Sequence, residues 1–330
     1  CLAYLASRLR ESGYAVKVID AYATNTALPQ IIEDTVAFSP HLVGVTAEYN
    51  TFESAVEYCS QVKNITKGIP ICMGGEHATF ASEDILSNQP EIDFIVRGEG
   101  ELTILELMKA IAGKKPLDKI KGISFRDGEC VIINEKRQLI QDIDTILFPA
   151  YKMFPVDYYK LLRMPHVTNS DFVMPMLSGR GCTFECTFCY RMDEGFRPRS
   201  NESIIEEIKL LKKNYGVTYI AFSDELFMSS IKRTIGLCED FIKAKLNVKW
   251  DCNGRLNYAK PDVLGLMKKA GCVFINYGIE AMDDQVLKNM RKGLSTKQII
   301  EGIEATLNSD ISPGFNIIFG NIGDNKETLN

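Results

Sequence analysis

The sequence predicts an α/β protein built from two parts, and two patterns along the chain lead to this conclusion. Short apolar runs alternate with segments of helical period in residues 1–134 and again in residues 171–330. Between them, residues 135–170 show weak periodicity and several prolines, which is typical of a linker. Alternating strands and helices favour parallel sheets covered on both faces. We therefore predict a doubly wound, Rossmann-like domain, a linker and a TIM-type (β/α) barrel with these boundaries.

The first part is predicted to contain four strands and a hairpin. The strands are expected at 15–20, 42–47, 69–75 and 92–98, and the helices at 1–12, 28–38, 51–66, 81–88 and 100–112. Residues 122–134 predict a β-hairpin with Asp127 and Gly128 as its turn. In a doubly wound sheet, ligands bind in the loops that follow the carboxyl ends of the strands.

The second part is predicted to contain five βα units. The strands are expected at 174–181, 217–225, 248–255, 273–280 and 314–320, and the helices at 201–214, 231–244, 261–270 and between 283 and 307. Ser200 or Asn201 is the expected N-cap of the first of these helices. The sequence begins inside one helical pattern and ends on the first turn of another. We therefore expect a partial barrel, with the chain truncated at both ends.

Composition excludes several classes of partner. A net charge of −5 gives no reason to expect a nucleic-acid partner. No apolar run approaches the ~18 residues that a membrane span requires. The ten cysteines lack the spacing of a secreted disulfide framework, so we expect a reduced, cytoplasmic protein without a membrane span.

Three cysteines lie together in the loop after the first predicted barrel strand. Cys182, Cys186 and Cys189 are spaced CxxxCxxC, with no histidine or fourth cysteine nearby. Thiolates favour zinc, copper(I) or iron–sulfur clusters, but structural zinc sites and ordinary 4Fe-4S sites use four ligands. Three local ligands favour a 4Fe-4S cluster with one iron open to another ligand. A zinc-binding module and a non-enzymatic electron carrier remain alternatives, the latter if Cys252 were the fourth ligand.

The segment CTFECTFC, with an aromatic residue before its last cysteine and a βα barrel after it, resembles the radical S-adenosylmethionine (SAM) signature. The segments SGRGC, RPRSNESIIEEIKLL, AFSDELF, AGCVFINYGIEAMDD and NMRKGLSTKQIIEGI also resemble the barrel of that family. In the first part, LVGVTA, ICMGGEHATF and DFIVRGEGELTILELM resemble a cobalamin-binding domain. On these motifs the chain is identified as a member of the radical SAM enzymes that carry a cobalamin (B12)-binding domain.

The resemblance implies a set of SAM contacts. The three cysteines would bind three irons of a 4Fe-4S cluster, and SAM would chelate the fourth through its amino and carboxylate groups. The resemblance places Phe188 beside the adenine and Arg255 at the SAM carboxylate. Glu280 would contact the ribose, although GIEAM stands where relatives often have Ser-Gly after the Glu. The remaining expected contacts are Ser223, Asp224 and Glu225 around the amino group and Gly320 beside the adenosine.

The resemblance also implies cobalamin contacts in three loops of the first part. These are Thr46, Glu48 and Tyr49 in the first loop, Gly74, Gly75 and His77 in the second, and Gly98 and Glu99 in the third. Glycines in such loops allow a bulky ligand to approach the backbone closely. The Asp-x-His-x-x-Gly motif that supplies a cobalt ligand in many cobalamin domains is absent from the sequence. We therefore expect cobalamin to bind without a histidine ligand.

The implied function is reductive cleavage of SAM to a 5′-deoxyadenosyl radical, followed by methylation of an unactivated carbon. The same pair of domains also occurs with oxidative cyclisation or rearrangement, which is the alternative among enzymes. The expected partners are a small-molecule or natural-product substrate and an electron donor such as flavodoxin or ferredoxin.

Overall fold

The chain divides into two compact units in a computed structural model. Unit 1 comprises residues 1–141 and 145–158, and unit 2 comprises residues 142–144 and 159–330. The structure describes residues 2–66, 68–113, 115–161, 166–190 and 195–328. Residues 135–158 therefore belong largely to unit 1, while the last part of the predicted linker belongs to unit 2. The domain boundaries at 134 and 171 stay a prediction.

Unit 1 is built on a five-stranded sheet in the order β1-β2-β3-β4-β5. Strands β1 to β3 are parallel, whereas β4 and β5 add an antiparallel hairpin at one edge. The strands are β1 (Val43–Thr46), β2 (Ile71–Gly74), β3 (Phe94–Val96), β4 (Ile123–Asp127) and β5 (Cys130–Ile133). The helices are α1 (Leu2–Glu11), α2 (Ala21–Thr24), α3 (Leu28–Phe38), α4 (Phe52–Thr66), α5 (Glu76–Phe80), α6 (Ser82–Asn88) and α7 (Gly100–Ile111).

Helices cover both faces of this sheet, as the alternation of side chains on β2 shows. Ile71 and Met73 are buried in a cluster with residues of α3, α4, α5 and α6. Cys72 points to the opposite face, where it packs with Val96 and Leu107 and with leucines of α1. Successive residues of a strand face opposite sides, so one strand contributes to two cores. The predicted doubly wound fold is confirmed.

Two predictions about unit 1 were wrong in detail. Residues 15–20 form no strand; Asp20 instead caps α2 by accepting from the Ala23 N–H at 3.0 Å. An alternating pattern forms a strand only where a neighbour supplies hydrogen bonds, and none of the five strands pairs with this segment. In the hairpin, Asp127 pairs with Cys130, so the turn is Gly128–Glu129, with Gly128 at φ +60°.

Unit 2 contains a second five-stranded sheet, in the order β12-β11-β10-β9-β6, and all its pairings are parallel. The strands of this unit are β6 (Val173–Met176), β7 (Gly179–Cys182), β8 (Gly195–Pro198), β9 (Tyr219–Phe222), β10 (Lys249–Gly254), β11 (Cys272–Glu280) and β12 (Ser312–Ile317). The short helix α8 (Val156–Tyr159) lies at the boundary, with all but its last residue in unit 1. The helices of unit 2 are α9 (Asn201–Tyr215), α10 (Ile231–Lys243), α11 (Pro261–Lys269), α12 (Asp284–Asn289) and α13 (Thr296–Asn308). The sheet confirms the five predicted strands, and within the described residues helices follow the first four of them.

The strand predicted at 174–181 is in fact two strands that belong to different sheets. β6 lies in the parallel sheet, whereas β7 pairs with β8 in a separate antiparallel hairpin. The chain leaves the sheet at Ser178, because the Ser178 N–H and hydroxyl donate to the Asp224 carboxylate at 3.0 Å. A backbone N–H that is bonded to a side chain is not available to a strand ladder.

Aromatic packing and a helix cap stabilise unit 2. Trp250 of β10 is fully buried among Phe222, Phe227 and Phe241, with ring centroids 5.1–6.2 Å apart. Ser200 caps α9 by accepting from the Ser203 N–H at 3.1 Å, which confirms one of the two predicted caps. Among the residues that the structure describes, no helix is both long and apolar enough to cross a bilayer.

We predict opposite stability effects for two helical glycines of unit 2. A Cβ on Gly302 of α13 would lie 2.8 Å from the carbonyl oxygen of Leu256, so Gly302→Ala should destabilise the protein by about 1–3 kcal/mol through overpacking. Gly265 of α11 has open space around the same position, so Gly265→Ala should stabilise by about 0.5–1 kcal/mol. Urea unfolding of both variants measures the difference. Equal effects of the two changes would contradict the close approach at Leu256.

Candidate functional site

The three clustered cysteines lie where β7 ends and in the loop that follows it. Cys182 is the last residue of β7, and Cys186 and Cys189 are joined by a turn in which the Cys189 N–H donates to the Cys186 carbonyl at 3.2 Å. The loop is fixed to the end of α12, because the Thr187 N–H donates to the Met290 carbonyl at 3.0 Å. The loop is thus held at its start by β7 and at Thr187 by the hydrogen bond to Met290.

The thiols of this loop are close enough to influence each other. Burial raises the pKa of Cys182, and the negative charges of Glu225 and Cys186 raise it further. Burial also raises the pKa of Cys189, with Cys186, Cys182 and Glu225 adding to the effect. The site therefore presents three mutually close thiols beside one carboxylate, and a bound cation would offset their repulsion.

The arrangement of these donors bears on what they can hold. Within the described part of the chain, no three His, Cys, Asp or Glu side chains have the arrangement that holds a single metal ion. In a multi-iron cluster each thiolate binds its own iron, so the sulfurs need not converge on one point. Soft thiolate donors of this kind are suited to iron–sulfur clusters, and the donor chemistry fits a 4Fe-4S cluster.

A side chain from the end of β10 packs against the cysteine loop, and one from the end of β11 is linked to that loop through Lys292. The Arg255 guanidinium, just after β10, stacks 3.5 Å from the ring centroid of Phe184. Arg255 also donates to the Lys292 carbonyl oxygen. At the end of β11, Glu280 accepts from the Lys292 ammonium at 2.9 Å, and both side chains are 7% exposed.

Phe188 completes this group. Its ring centroid lies 5.5 Å from the Lys292 ammonium, and the side chain is partly exposed. The structure therefore brings together Phe188, Arg255 and Glu280, which are distant in sequence, through contacts with one lysine. Lys292, in the segment NMRKG, is not among the contacts that the family resemblance implies. A lysine in a loop near a strand that ends in Glu is the signal that could have revealed it.

The three residues SDE after β9 are separated by the direction of their side chains. Asp224 is 1% exposed and accepts from Ser178, and burial raises its pKa to about 6. Ser223 and Glu225 are exposed on the other side. The negative charge of Glu225 contributes to the raised pKa values of Cys182 and Cys189. Of the three, Glu225 therefore lies at the cysteine loop, while Asp224 braces Ser178.

Gly320 lies just beyond β12, in a segment that begins beside Glu280. The Ile318 N–H donates to the Glu280 carbonyl at 3.0 Å, and Gly320 follows two residues later at φ +88°. A Cβ at Gly320 would meet no atom within 4 Å. The positive φ favours glycine there, while the surrounding space is open.

The predicted loops of unit 1 meet at the carboxyl edge of its sheet. Gly75 has φ +108°, and a Cβ there would lie 3.0 Å from the Ala47 carbonyl oxygen and 3.1 Å from the Thr46 hydroxyl. The Ala47 N–H donates to the Gly74 carbonyl at 3.2 Å, and Glu48 follows as the cap of a short turn. Glycine at position 75 is thus required for the first two loops to touch.

The remaining predicted residues of unit 1 extend the same edge. His77 packs edge-on against Tyr49 and Phe52, with ring centroids 5.8 and 4.8 Å away, and Tyr49 is 85% exposed. Gly98 joins the third loop to the second, because its N–H donates to the Thr79 hydroxyl at 3.1 Å. Glu99 accepts from the Ile140 N–H at 2.8 Å, which directs its carboxylate toward the chain after the hairpin.

Two further polar groups of unit 2 belong to its interior. Cys252 is buried, and burial and a hydrogen bond with Cys272 raise its pKa well above the usual range. His166 stacks on Phe274 with centroids 4.0 Å apart, and its Nε2 lies 2.8 Å from Asp251. Both residues are engaged within the sheet's interior packing.

Comparison with known proteins gives two matching family models. Residues 1–108 match the B12 binding domain, and residues 176–330 match the Radical SAM superfamily. Among solved structures, the cobalamin-dependent SAM radical enzyme OxsB, with aqua-cobalamin and SAM bound, superposes with a TM-score of 0.83. It is 22% identical, over 96% of this chain and 46% of that chain, a similarity that shows the fold.

Two curated relatives extend over nearly the whole chain. The uncharacterised methyltransferase PH0819 of Pyrococcus horikoshii is 34% identical over 92% of this chain. The anaerobic magnesium-protoporphyrin IX monomethyl ester cyclase of Rubrivivax gelatinosus is 30% identical over 99% of it. The chain spans 65% and 60% of the lengths of these two proteins. With a B12-binding domain followed by a radical SAM domain, the chain belongs to the radical SAM enzymes that carry a cobalamin-binding domain.

Proposed function

We propose that this chain is the cofactor-binding part of a cobalamin-dependent radical SAM methyltransferase that acts on an unactivated carbon. The observation that carries the proposal is the grouping of Cys182, Cys186 and Cys189 with Arg255 and Glu280 at one end of a parallel sheet. Soft donors beside fixed groups of opposite charge suit a cluster and a zwitterionic ligand bound next to each other.

The cofactors would supply the chemistry, and this chain would supply their positions. When bound, a reduced 4Fe-4S cluster would supply the electron for cleavage of SAM to methionine and a 5′-deoxyadenosyl radical, and cobalamin would supply the methyl group. Cys182, Cys186 and Cys189 would hold three irons of the cluster, which would leave one iron for the SAM amino and carboxylate groups. Arg255, already held by Phe184 and Lys292, presents a rigid fork for the carboxylate.

Glu225 is the carboxylate that we assign to the SAM amino group, because it lies beside Cys182 and Cys189. Ser223 shares its exposed side, and Asp224 acts indirectly by holding Ser178. Phe188 offers an apolar ring for the adenine, and Glu280 offers an acceptor for a ribose hydroxyl. Gly320 offers backbone with open space, among the described residues, where a Cβ would lie.

We assign cobalamin to the carboxyl edge of the sheet in unit 1. There Thr46 and Glu48 lie close to Gly75, which follows β2, and Tyr49 packs against His77. A broad, partly apolar ligand needs a surface formed by several loops with little side-chain bulk, and Gly74, Gly75 and Gly98 provide it. Glu99 bounds this surface through its bond to the Ile140 N–H.

Oxidative cyclisation is the second candidate function. It is favoured by the similarity to the Rubrivivax cyclase, which covers 99% of this chain. The two functions differ in whether a methyl group leaves SAM, so methyl-labelled SAM separates them. Label recovered in added cobalamin supports methyl transfer, and label retained in SAM and methionine alone supports cyclisation. The small-molecule substrate, the flavodoxin or ferredoxin donor and the cytoplasmic location stay predictions.

The first prediction concerns the cluster. Cys186→Ala in the full-length protein, reconstituted anaerobically with iron and sulfide and reduced with dithionite, should form no 5′-deoxyadenosine from SAM, because one iron loses its ligand. Chromatography of the nucleoside products measures this, and iron content measures the cluster. Cys130→Ala is the matched control, since Cys130 is an exposed cysteine of the hairpin in unit 1.

Two outcomes would contradict the assignment. Wild-type protein that carries a full complement of cluster but forms no 5′-deoxyadenosine would favour an electron carrier. Equal activity of Cys186→Ala and Cys130→Ala would show that the three cysteines do not hold the cluster.

The second prediction concerns cobalamin. Gly75→Ala should weaken binding of hydroxocobalamin by about 10- to 100-fold, since the new Cβ pushes apart the loops at Ala47 and Gly75. Absorption titration measures the affinity, and iron content should remain unchanged. Gly128→Ala is the control, because Gly128 also has positive φ but lies in the hairpin turn with open space around it. Equal weakening by both changes would point to backbone strain in general and contradict a site at this edge.

A further inference from the structure

Glu280 and Lys292 form an ion pair in the interior of unit 2. The Lys292 ammonium lies 2.9 Å from Oε1 of Glu280, and each side chain is 7% exposed. Lysine and glutamate are almost never this buried unless paired. Burying both charges carries a desolvation penalty that their attraction does not reliably exceed. Stability alone is therefore a poor explanation for the pair, and its position in the fold is informative.

The backbone of β11 is shaped to admit this pair. A Cβ on Gly278 would overlap Oε1 of Glu280 and lie 2.8 Å from the Lys292 ammonium. The register between β11 and β12 shifts between Gly278 and Glu280, and Glu280 itself has φ +63°. A non-glycine residue in the left-handed region is uncommon and strained. The strand thus departs from regular geometry at the residue whose carboxylate Lys292 holds.

Lys292 also contacts the two other side chains that surround the cysteine loop. Its ammonium lies 5.5 Å from the ring centroid of Phe188, within the range of a cation–π interaction. Its carbonyl oxygen accepts from Arg255. One residue, through its side chain and its backbone, therefore connects the positions assigned to the adenine, the ribose and the carboxylate of SAM.

We propose that Lys292 is a positioning residue that holds the Glu280 carboxylate in the orientation that binds the ribose of SAM. The carboxylate and the ammonium occupy space that a side chain at Gly278 would fill. This inference rests on the proposed function. The ammonium donates to Oε1 and so orients the carboxylate, whose Oε2 then accepts from a ribose hydroxyl. An ionised carboxylate only accepts hydrogen bonds, which matches a hydroxyl donor. Lys292 acts through Glu280 and does not itself contact SAM.

The test measures binding to the cluster-loaded, full-length protein with three probes. They are SAM, 5′-methylthioadenosine, which has the ribose but no amino acid, and methionine, which lacks the ribose. Lys292→Met should weaken the binding of SAM and of methylthioadenosine by about 10- to 100-fold, as expected for loss of a positioned hydrogen bond to a charged group. Methionine binding should stay unchanged. Equilibrium dialysis gives the three affinities, and Lys297→Met, in an exposed pair with Glu301, is the control.

A double-variant cycle separates positioning from folding. Glu280→Gln alone should weaken the binding of SAM. Adding Lys292→Met to it should cause no further loss of affinity, because the lysine acts through the carboxylate. This neutral pair also keeps the test valid if Lys292→Met alone fails to fold. Three outcomes would each overturn the inference. They are weaker SAM binding in the double variant than in Glu280→Gln, methionine binding weakened as much as SAM binding, and unchanged SAM affinity in Lys292→Met. Wild-type protein that binds no SAM at all would overturn the proposed function instead.

Discussion

The geometry of the site depends on the hydrogen bonds between Ser178 and Asp224. Both donors of Ser178 bond to this carboxylate, and Arg233 donates to the Ser178 carbonyl and hydroxyl at 2.8 and 2.9 Å. These contacts turn the chain out of the parallel sheet, so that β7 and the cysteine loop extend from its carboxyl end. Burial raises the pKa of Asp224 to about 6, which means that the turn is maintained at an electrostatic cost.

Buried charge is concentrated at this end of unit 2. Four charged residues are buried there, each with a partner of opposite charge or a hydrogen-bonding carbonyl: Asp224, Arg255, Glu280 and Lys292. Such groups are costly to bury and are retained where their geometry matters. The carboxyl edge of the sheet in unit 1 is built differently: small residues such as Gly75 allow neighbouring loops to approach each other. The first arrangement suits a charged ligand, and the second suits a broad one.

Hydrophobic periodicity predicted most of the fold, because it reports burial directly. It failed at 15–20 and at 174–181, where the outcome depends on hydrogen-bond partners distant in sequence: an adjacent strand in one case and Asp224 in the other. The cysteine spacing predicted the centre of the proposed site because Cys182, Cys186 and Cys189 are close together in the sequence. Phe188, Arg255 and Glu280 were found through resemblance, and their proximity was not evident from their separation. Lys292 was missed because its role depends on Glu280, twelve residues earlier in the chain.

The similarity to a named methyltransferase and to a named cyclase extends over 92% and 99% of this chain. The features shared with both relatives therefore cannot be what separates their reactions, and a fold of this kind hosts more than one chemistry. The side chains that contact Lys292, namely Phe188, Arg255 and Glu280, are suited to holding and orienting SAM, which both reactions would use. We therefore expect the choice between the two reactions to be made by the substrate and by the residues that bind it, not by the groups that hold SAM.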